Sequence, residues 1–112
     1  MDKGLLSGST SMLILKLLAE KDMYGYQMIE ELARKSDQTF ALKAGTLYPL
    51  LHGLEKQGMV NSYDEQGDKA RVRKYYHLTK KGKKMLVDKQ AEWRAYTKAV
   101  NQVLNGGMLD GV

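Results

Sequence analysis

The 112-residue chain has no cysteine, one proline, one phenylalanine, one tryptophan and two histidines. Without cysteine there are no disulfides, thiolate metal ligands or cysteine nucleophiles, which agrees with a reducing compartment. His52 and His77 are the only histidines, and no HExxH, phosphate-loop or GxSxG pattern occurs. The sequence therefore lacks the residue patterns of common hydrolase and metal sites. We therefore expect neither an enzyme nor a cofactor or metal site.

Long apolar runs are also absent. The longest, from Met12 to Ala19, is interrupted by Lys16 and is much shorter than the roughly 20 residues of a membrane-spanning helix. The N-terminal residues show no small-residue cleavage pattern. We expect a soluble, cytoplasmic protein of one domain with a modest core and no membrane partner.

Positive charge exceeds negative charge by 18 residues to 13, giving a net charge of +5 and a pI near 9.4. The excess is concentrated in residues 69–84, a segment that contains no acidic residue. This cluster would attract phosphate, although a solvated surface would have the same composition. Its basic residues are Lys69, Arg71, Arg73, Lys74, Lys80, Lys81, Lys83 and Lys84.

The first half of the chain predicts three helices. The first should run from about Ser9 or Thr10 to Ala19, with Ser7, Ser9 and Thr10 available as caps. It is apolar nearly all round, so it should be covered on two sides, by its own domain and by a second subunit. The second helix should begin after Asp22 as N-cap and end near Ser36. Its predicted buried stripe is Tyr26, Ile29, Leu32 and Ala33.

The third helix lies in "GTLYPLLHGLEKQGMV" (Gly45 to Val60), where Leu47, Leu50, Leu51 and Leu54 make an amphipathic stripe. The stripe begins before Pro49, so the helix should start at or ahead of Leu47 with the proline near its first turn. Gly58 is the predicted C′ glycine. Two helices joined by a compact connection, the second of them short, are typical of a helix-turn-helix.

Two β-rich runs, Met59 to Tyr63 and Arg71 to Thr79, flank the turn-forming "DEQGDKA". Leu78 is the expected core residue of the second strand, so Tyr76 on the same face should be at least half buried. The prediction is a mainly α protein with a small β-hairpin, a winged helix-turn-helix.

A last helix should run from Lys80 to about Leu104, capped by Thr79 and stopped by "NGG". Apolar residues recur at heptad spacing along it, apart from Lys89, and such a seam has little of its own domain left to cover it. We therefore expect a homodimer. The expected organisation is a DNA-binding domain over residues 1–79 (wing about 59–79), a dimerisation helix over 80–105 and a disordered tail over 106–112. The seam residues are Leu86, Trp93, Tyr96, Val100 and Val103.

Three segments together resemble the PadR family of bacterial transcriptional regulators, in its small subgroup with a single C-terminal helix. They are "MYGYQMIEEL" (Met23 to Leu32), "GTLYPLLHGLEKQGMV" and "RKYYHLTKKGKKML" (Arg73 to Leu86). The resemblance implies a homodimeric repressor whose third helix enters the major groove of double-stranded DNA while the wing follows the backbone or minor groove. Carried over by position, the residues near DNA are Lys43, Thr46, Tyr48 and His52 from the helix, and Lys69, Arg71, Arg73 and Lys74 from the wing.

The chain departs from the family pattern at three positions. The family often has serine or asparagine at Lys43, proline at Ala44 and arginine at Gly53. Lys43 cannot cap a helix, and its charge opposes the helix dipole, which a phosphate contact would offset. Gly53 removes one expected DNA contact and leaves His52 more prominent, so the operator sequence does not follow from the resemblance.

Two residues have alternative interpretations. Tyr48 either contacts phosphate and a thymine methyl or is a surface tyrosine that shields the helix end. Trp93 is either an aromatic residue of the dimer seam or, with Tyr96 and Met12, part of a pocket for a small planar aromatic effector. Such a ligand would change the spacing of the two recognition helices.

The whole protein also has more than one interpretation. The first hypothesis is a DNA-binding transcriptional regulator, most simply a homodimeric repressor of a dyad operator released by the effector. The alternative is a winged-helix module that docks another protein without sequence-specific DNA binding. RNA binding ranks third, because the aromatic residues are assigned to the core and the seam rather than to a stacking platform.

Overall fold

Four helices and three strands make up the part of the chain that the computed structural model describes, residues 3–67 and 71–106. The strands form one antiparallel sheet in the order β1-β3-β2. This confirms the predicted mainly α winged-helix fold with a long terminal helix. The elements are α1 (Lys3–Glu20), β1 (Met23–Tyr24), α2 (Gly25–Lys35), α3 (Ala44–Lys56), β2 (Val60–Gln66), β3 (Val72–Leu78) and α4 (Lys80–Leu104).

Helix α1 begins well before the predicted start. Ser7, Ser9 and Thr10 fall inside it rather than at its end, so the prediction that they cap it is wrong. Ser9 and Thr10 are nearly buried, at 7% and 4% exposure. Small hydroxyl side chains can be packed inside a helix when neighbouring elements cover them.

The apolar residues in the middle of α1 are covered by the chain itself. Ile14 and Leu15 are fully buried, and Leu17 and Leu18 nearly so, where α1 packs against α2, β3 and α4. Met12 and Leu13 are partly buried beside the core, and Ala19 is exposed. For these four residues, Ile14 to Leu18 without Lys16, the cover expected from another subunit is supplied within one protomer. None of the helices in the described residues is long and apolar enough to cross a membrane.

Strand β1 was not predicted, because two residues are too short for a periodic pattern. Met23 pairs with Tyr76 and Tyr24 with Tyr75, so the sheet has three strands instead of the two of a hairpin. The partner strand lies about 50 residues away in the sequence, and only folding brings the two together. The predicted N-cap role of Asp22 is also wrong, since α2 starts at Gly25 and its N-cap is Tyr24, which makes no side-chain cap.

Helix α2 buries only part of the predicted stripe, since Leu32 is buried and Ile29 packs against the core but the other buried positions differ. Its buried residues are Gly25, Met28 and Leu32. Tyr26 was expected in the buried stripe, but it is 64% exposed. A shift of one residue rotates a helix by about 100°, which is enough to carry a side chain from the core to the surface.

Asp22 ties the wing to the turn between α1 and β1. Its carboxylate accepts a hydrogen bond from the Tyr63 hydroxyl at 2.7 Å and one from Nδ1 of His77 at 2.8 Å. Burial works to raise the pKa of Asp22, but the bonds from Tyr63 and His77 outweigh it, so the pKa lies below its usual value. The same bond to Asp22 raises the pKa of Tyr63 to about 12.

Helix α3 begins at Ala44, ahead of Leu47 as predicted, but Pro49 lies in its second turn rather than near the first. Gly58 has φ +77°, which confirms it as the left-handed glycine after the helix. The amide of Met59 donates to the carbonyl oxygen of Leu54 at 2.9 Å, closing the end of the helix. The chain therefore leaves α3 in a fixed direction and enters β2 at once.

The hairpin has one core face and one solvent face. Leu78 and Tyr76 are 2% and 5% exposed, as expected for the inner face of β3. Strand β2 is longer than predicted and includes Asp64, which the sequence pattern had assigned to the turn. Pairing with Lys74 of β3 holds Asp64 in the ladder despite its turn propensity.

Strands β2 and β3 and helix α4 meet at Thr79, which caps α4 as predicted. Its hydroxyl accepts from the amide of Gly82 at 3.0 Å and donates to the carbonyl oxygen of Gly58 at 2.6 Å. Gly82 is buried, and a β-carbon at this position would overlap the carbonyl oxygen of Met59 and lie 2.5 Å from Cδ1 of Leu78. The start of α4 can therefore approach β2 this closely only with glycine at position 82.

We expect Gly82→Ala to destabilise the fold by about 2 kcal/mol, because the clash involves backbone atoms that cannot rotate away. Chemical denaturation followed by circular dichroism measures the change. Gly53→Ala is the matched control, since Gly53 is also helical and a β-carbon there meets nothing within 4 Å. The control should keep or gain stability, by up to about 1 kcal/mol. Equal stability of the two variants would contradict the packing argument.

Candidate nucleic-acid interface

The outer face of α3 carries the residues predicted to approach DNA. Leu47, Leu51 and Leu54 point into the core at 0%, 0% and 6% exposure. This fixes the rotation of the helix and leaves the opposite side in solvent. The exposed residues on and beside that side include Lys43, Thr46, Tyr48 and His52.

Lys43 is the N-cap residue of α3 and makes no side-chain cap, as its chemistry requires. Its ammonium group is thus not bonded to the backbone at the helix end, where it would be electrostatically unfavourable without an anion nearby. A phosphate at this end would remove that conflict.

The basic residues of the wing lie on β3 and directly before it. Arg71 and Lys74 are exposed, whereas Arg73 is partly buried. The guanidinium carbon of Arg73 lies 4.4 Å from the centroid of the Tyr24 ring, a cation–π contact. Lys69, the fourth predicted wing residue, lies outside the described residues.

The wing also has acidic residues that the linear pattern of basic residues did not reveal. Asp64 is directly opposite Lys74, and Glu65 directly opposite Arg73, on the neighbouring strand. Cross-strand neighbours share a face, so these acids reduce the local positive field. Because β1 and β2 flank β3 on opposite sides, the contact with Tyr24 draws Arg73 away from Glu65.

A cleft of about 390 Å³ joins the wing to the start of the second and third helices. It brings Tyr48 of α3 together with the wing cations, while Lys43, Thr46 and His52 are not among its lining residues. We call it the wing cleft. Its lining is Tyr24, Gly25, Tyr26, Glu30, Tyr48, Arg71, Val72, Arg73 and Lys74.

Tyr48 reaches the wing cleft because Gly25 has no side chain. A β-carbon at Gly25 would overlap the Tyr48 hydroxyl and lie 2.6 Å from Cζ of its ring. The ring of Tyr48 therefore lies against the start of α2 instead of projecting straight into solvent, although it is 47% exposed. The contact makes Gly25 a steric condition for the position of Tyr48.

Tyr24, Gly25 and Tyr26 were not predicted to be part of this surface. Tyr26 had been predicted to lie in the core. The spacing of Gly25, Met28 and Leu32, an alternative helical stripe, was the pattern that would have placed Tyr26 outside.

The predicted dimer seam divides into two parts along α4. Leu86 is 6% exposed and belongs to the core of the chain itself. Trp93, Tyr96 and Val103 are 41%, 55% and 80% exposed, and Val100 is partly buried. Trp93 and Tyr96 lie side by side with ring centroids 6.0 Å apart. Met12 is partly buried against the core.

No group of His, Asp or Glu side chains in the described part of the chain could hold a metal ion. The two histidines lie on separate elements, His52 on α3 and His77 on β3, where the latter contacts Asp22.

Comparison with known proteins gives consistent results. Residues 14–88 match the transcriptional regulator PadR-like family. The transcriptional regulator Rv3488 of Mycobacterium tuberculosis is 32% identical over 93 residues, covering 83% of this chain and 80% of that protein.

Solved structures agree in fold and in sequence. A transcriptional regulator from Clostridium thermocellum has a TM-score of 0.82 at 34% identity, covering 89% of this chain and 97% of its own. A PadR family transcriptional regulator from Eggerthella lenta has a TM-score of 0.79 at 36% identity, covering 90% and 86%. The family match spans more than half of the chain, and members of this family bind DNA and are not enzymes. The chain belongs to the PadR-like family of transcriptional regulators.

Proposed function

We propose that the protein is a homodimeric transcriptional repressor that binds a dyad operator. The observation that supports this best is the wing cleft, which places Tyr48 of α3 beside Arg71, Arg73 and Lys74 of the wing. A helix face and a basic strand on the same side of a small domain can contact a duplex simultaneously.

Each element has a distinct role in this proposal. The exposed start of α3 enters the major groove, where Thr46, Tyr48 and His52 lie near base edges and sugars. Lys43 and the wing cations contact phosphates, which sets affinity and register but carries no sequence information. Repression needs only occupancy of the operator, which a DNA-contacting surface of this kind can supply.

The wing is the element whose contribution to binding is simplest to measure. In the double variant Arg71→Ala/Lys74→Ala we expect affinity for duplex DNA to fall roughly 10- to 100-fold. Each phosphate contact that is lost should also make the slope of log K against log salt shallower by about 0.9. Fluorescence anisotropy with an operator duplex and a random duplex, at two or more salt concentrations, measures both quantities.

Arg94→Ala/Lys98→Ala is the matched control, because it removes one arginine and one lysine that are exposed on α4, away from the wing. It should leave the slope nearly unchanged. The DNA upstream of the chain's own gene provides the operator candidate. If the wild type binds that duplex no better than random DNA, sequence-specific binding is refuted and the protein-docking alternative is favoured.

The dimer in this proposal forms through the distal half of α4. Its side chains Trp93, Tyr96 and Val103 are exposed in a single chain, together with Leu104. An apolar stripe at heptad spacing on a helix that extends past its own core is typical of a surface that pairs with a second copy. A two-fold dimer would carry its recognition helices about 34 Å apart, one turn of duplex DNA.

We expect Val103→Glu to weaken self-association at least about tenfold, because it places a charge in the seam. Val103 is 80% exposed in the protomer, so the substitution should leave the protomer folded. Val87→Glu is the control, since Val87 is 61% exposed on the same helix but lies outside the heptad stripe. Sedimentation equilibrium compares the dissociation constants. Equal weakening by both variants would contradict the assigned seam.

Release by a small planar aromatic effector is the further part of the proposal, and it rests on the exposed pair Trp93 and Tyr96. Facing copies of this pair would make an aromatic pocket at the two-fold axis. Trp93 is the only tryptophan, so its fluorescence reports on that pocket alone. Saturable quenching by a planar aromatic compound is expected. If no compound in a panel of such ligands quenches saturably, the effector should be dropped and Trp93 kept as a seam residue.

A further inference from the structure

The wing cleft contains side chains that the proposed DNA contacts leave unused. Tyr24 and Tyr26 line it together with Tyr48, Arg71, Arg73 and Lys74. The hydroxyls of Tyr26 and Tyr48 form no hydrogen bond with any residue that the structure describes. Both are exposed, at 64% and 47%. The cleft therefore presents free donors next to three cations.

The position of the cleft indicates what it would face on DNA. It lies between the first turns of α3, where Tyr48 is, and the wing residues from Arg71 to Lys74. In a duplex, the major and minor grooves are separated by one sugar–phosphate strand. A protein with a helix in one groove and a wing at the next must pass that strand across the surface between them.

We propose that the wing cleft binds a single phosphodiester group of the DNA backbone, with Arg73, Tyr26 and Tyr48 as hydrogen-bond donors and Tyr24 as a positioning residue. The proposal rests on the proposed function, since it takes α3 and the wing to lie on DNA. It adds Tyr26 of α2 and Tyr24 of β1, which belong to neither element, to a contact shared with Tyr48 of α3 and Arg73 of the wing.

Tyr24 can hold Arg73 without consuming its hydrogen bonds. The guanidinium carbon lies 4.4 Å from the ring centroid, so the contact is made with the face of the tyrosine ring. The N–H groups of a guanidinium point outward in its own plane and stay available to phosphate oxygens. The ring thus fixes the side chain before DNA arrives, which reduces the conformational entropy lost on binding.

The charge of the cleft favours a phosphodiester over a free phosphate ester. Glu30 is the one carboxylate among the described residues that line it. It follows Tyr26 by one helical turn, and it would repel an anion the more strongly the greater the anion's charge. A phosphodiester carries one negative charge, whereas a phosphate monoester carries about 1.5 to 2 at neutral pH.

The test replaces the phosphates of the operator duplex one at a time by uncharged methylphosphonate. We expect one substitution in each half-site to weaken wild-type binding about tenfold, and the same substitution to have no further effect on Arg73→Met. Arg94→Met is the control and should respond to the scan as the wild type does. If Arg73→Met remains sensitive to every position to which the wild type is sensitive, the phosphate assignment is overturned. DNA binding by the protein, and with it the proposed function, would still stand.

A pair of substitutions at Tyr24 tests its positioning role. Tyr24→Phe keeps the aromatic face and should bind as the wild type does, whereas Tyr24→Leu loses it and should lose about fivefold in affinity. Tyr24→Leu should also reduce the coupling between Arg73 and the identified phosphate, which a merely structural role would not do selectively. Equal binding by the two variants would overturn the positioning role.

A measurement without DNA distinguishes binding of a DNA backbone phosphate from binding of free inorganic phosphate. Inorganic phosphate is titrated into the wild type while the amide resonances of residues 24–26 are followed by NMR. We expect no saturable shift below about 10 mM. An isolated phosphate ion is repelled by Glu30 and lacks the other contacts that the duplex makes with the protein. A saturable shift in that range that disappears in Arg73→Met would mean that the cleft takes a free phosphate, and would overturn the assignment to DNA.

Discussion

The carbonyl group of Met59 is the point at which α3, the wing and the terminal helix α4 are joined. The residue follows the left-handed Gly58 that ends α3, and its carbonyl oxygen accepts the amide of Thr79 at 3.1 Å. Gly82 packs directly on the same carbonyl, so α4 begins in contact with the first residue of the wing. Because these contacts are made by backbone atoms, they leave α3, the wing and α4 little freedom to move relative to one another. The angle between α3 and the wing, on which any joint contact with DNA depends, is set here.

A second connection fixes the far side of the wing. Strand β1 adds to β3, and Asp22 just before it accepts hydrogen bonds from Tyr63 and His77. The rings of Tyr24, Tyr75 and Tyr63 form a row across the solvent face of the three strands, with centroids 5.4 and 5.8 Å apart. Aromatic neighbours of this kind stiffen a small sheet at little entropic expense. The wing cleft is therefore bounded by elements that are each held on two sides.

Most of the fold was predictable because it depends on patterns formed by residues that are close together in the sequence. The leucine stripe of α3, the glycine after it, the alternation around Tyr76 and Leu78, and the cap at Thr79 were each confirmed by the structure. Three of the failures have one cause in common, since each concerns a residue whose environment comes from a distant segment. Asp22 has the chemistry of a cap but finds Tyr63 and His77 as partners, and β1 exists only because β3 lies beside it. Tyr26 has a large side chain typical of a core residue, but the rotation of α2 against its neighbours places it on the surface.

The sequence by itself determined the fold class, the family and the set of exposed groups on α3. Those depend on periodicity and on motifs that a few consecutive residues complete, and the energies involved act between near neighbours along the chain. Only the tertiary structure decided that Tyr48 lies against Gly25 and that Arg73 stacks on Tyr24. It also showed that Leu86 is used inside the protomer while Trp93 is exposed. These are decided by how helices rotate and strands register when the core closes, and a linear pattern contains no information on which of several similar faces the packing will select.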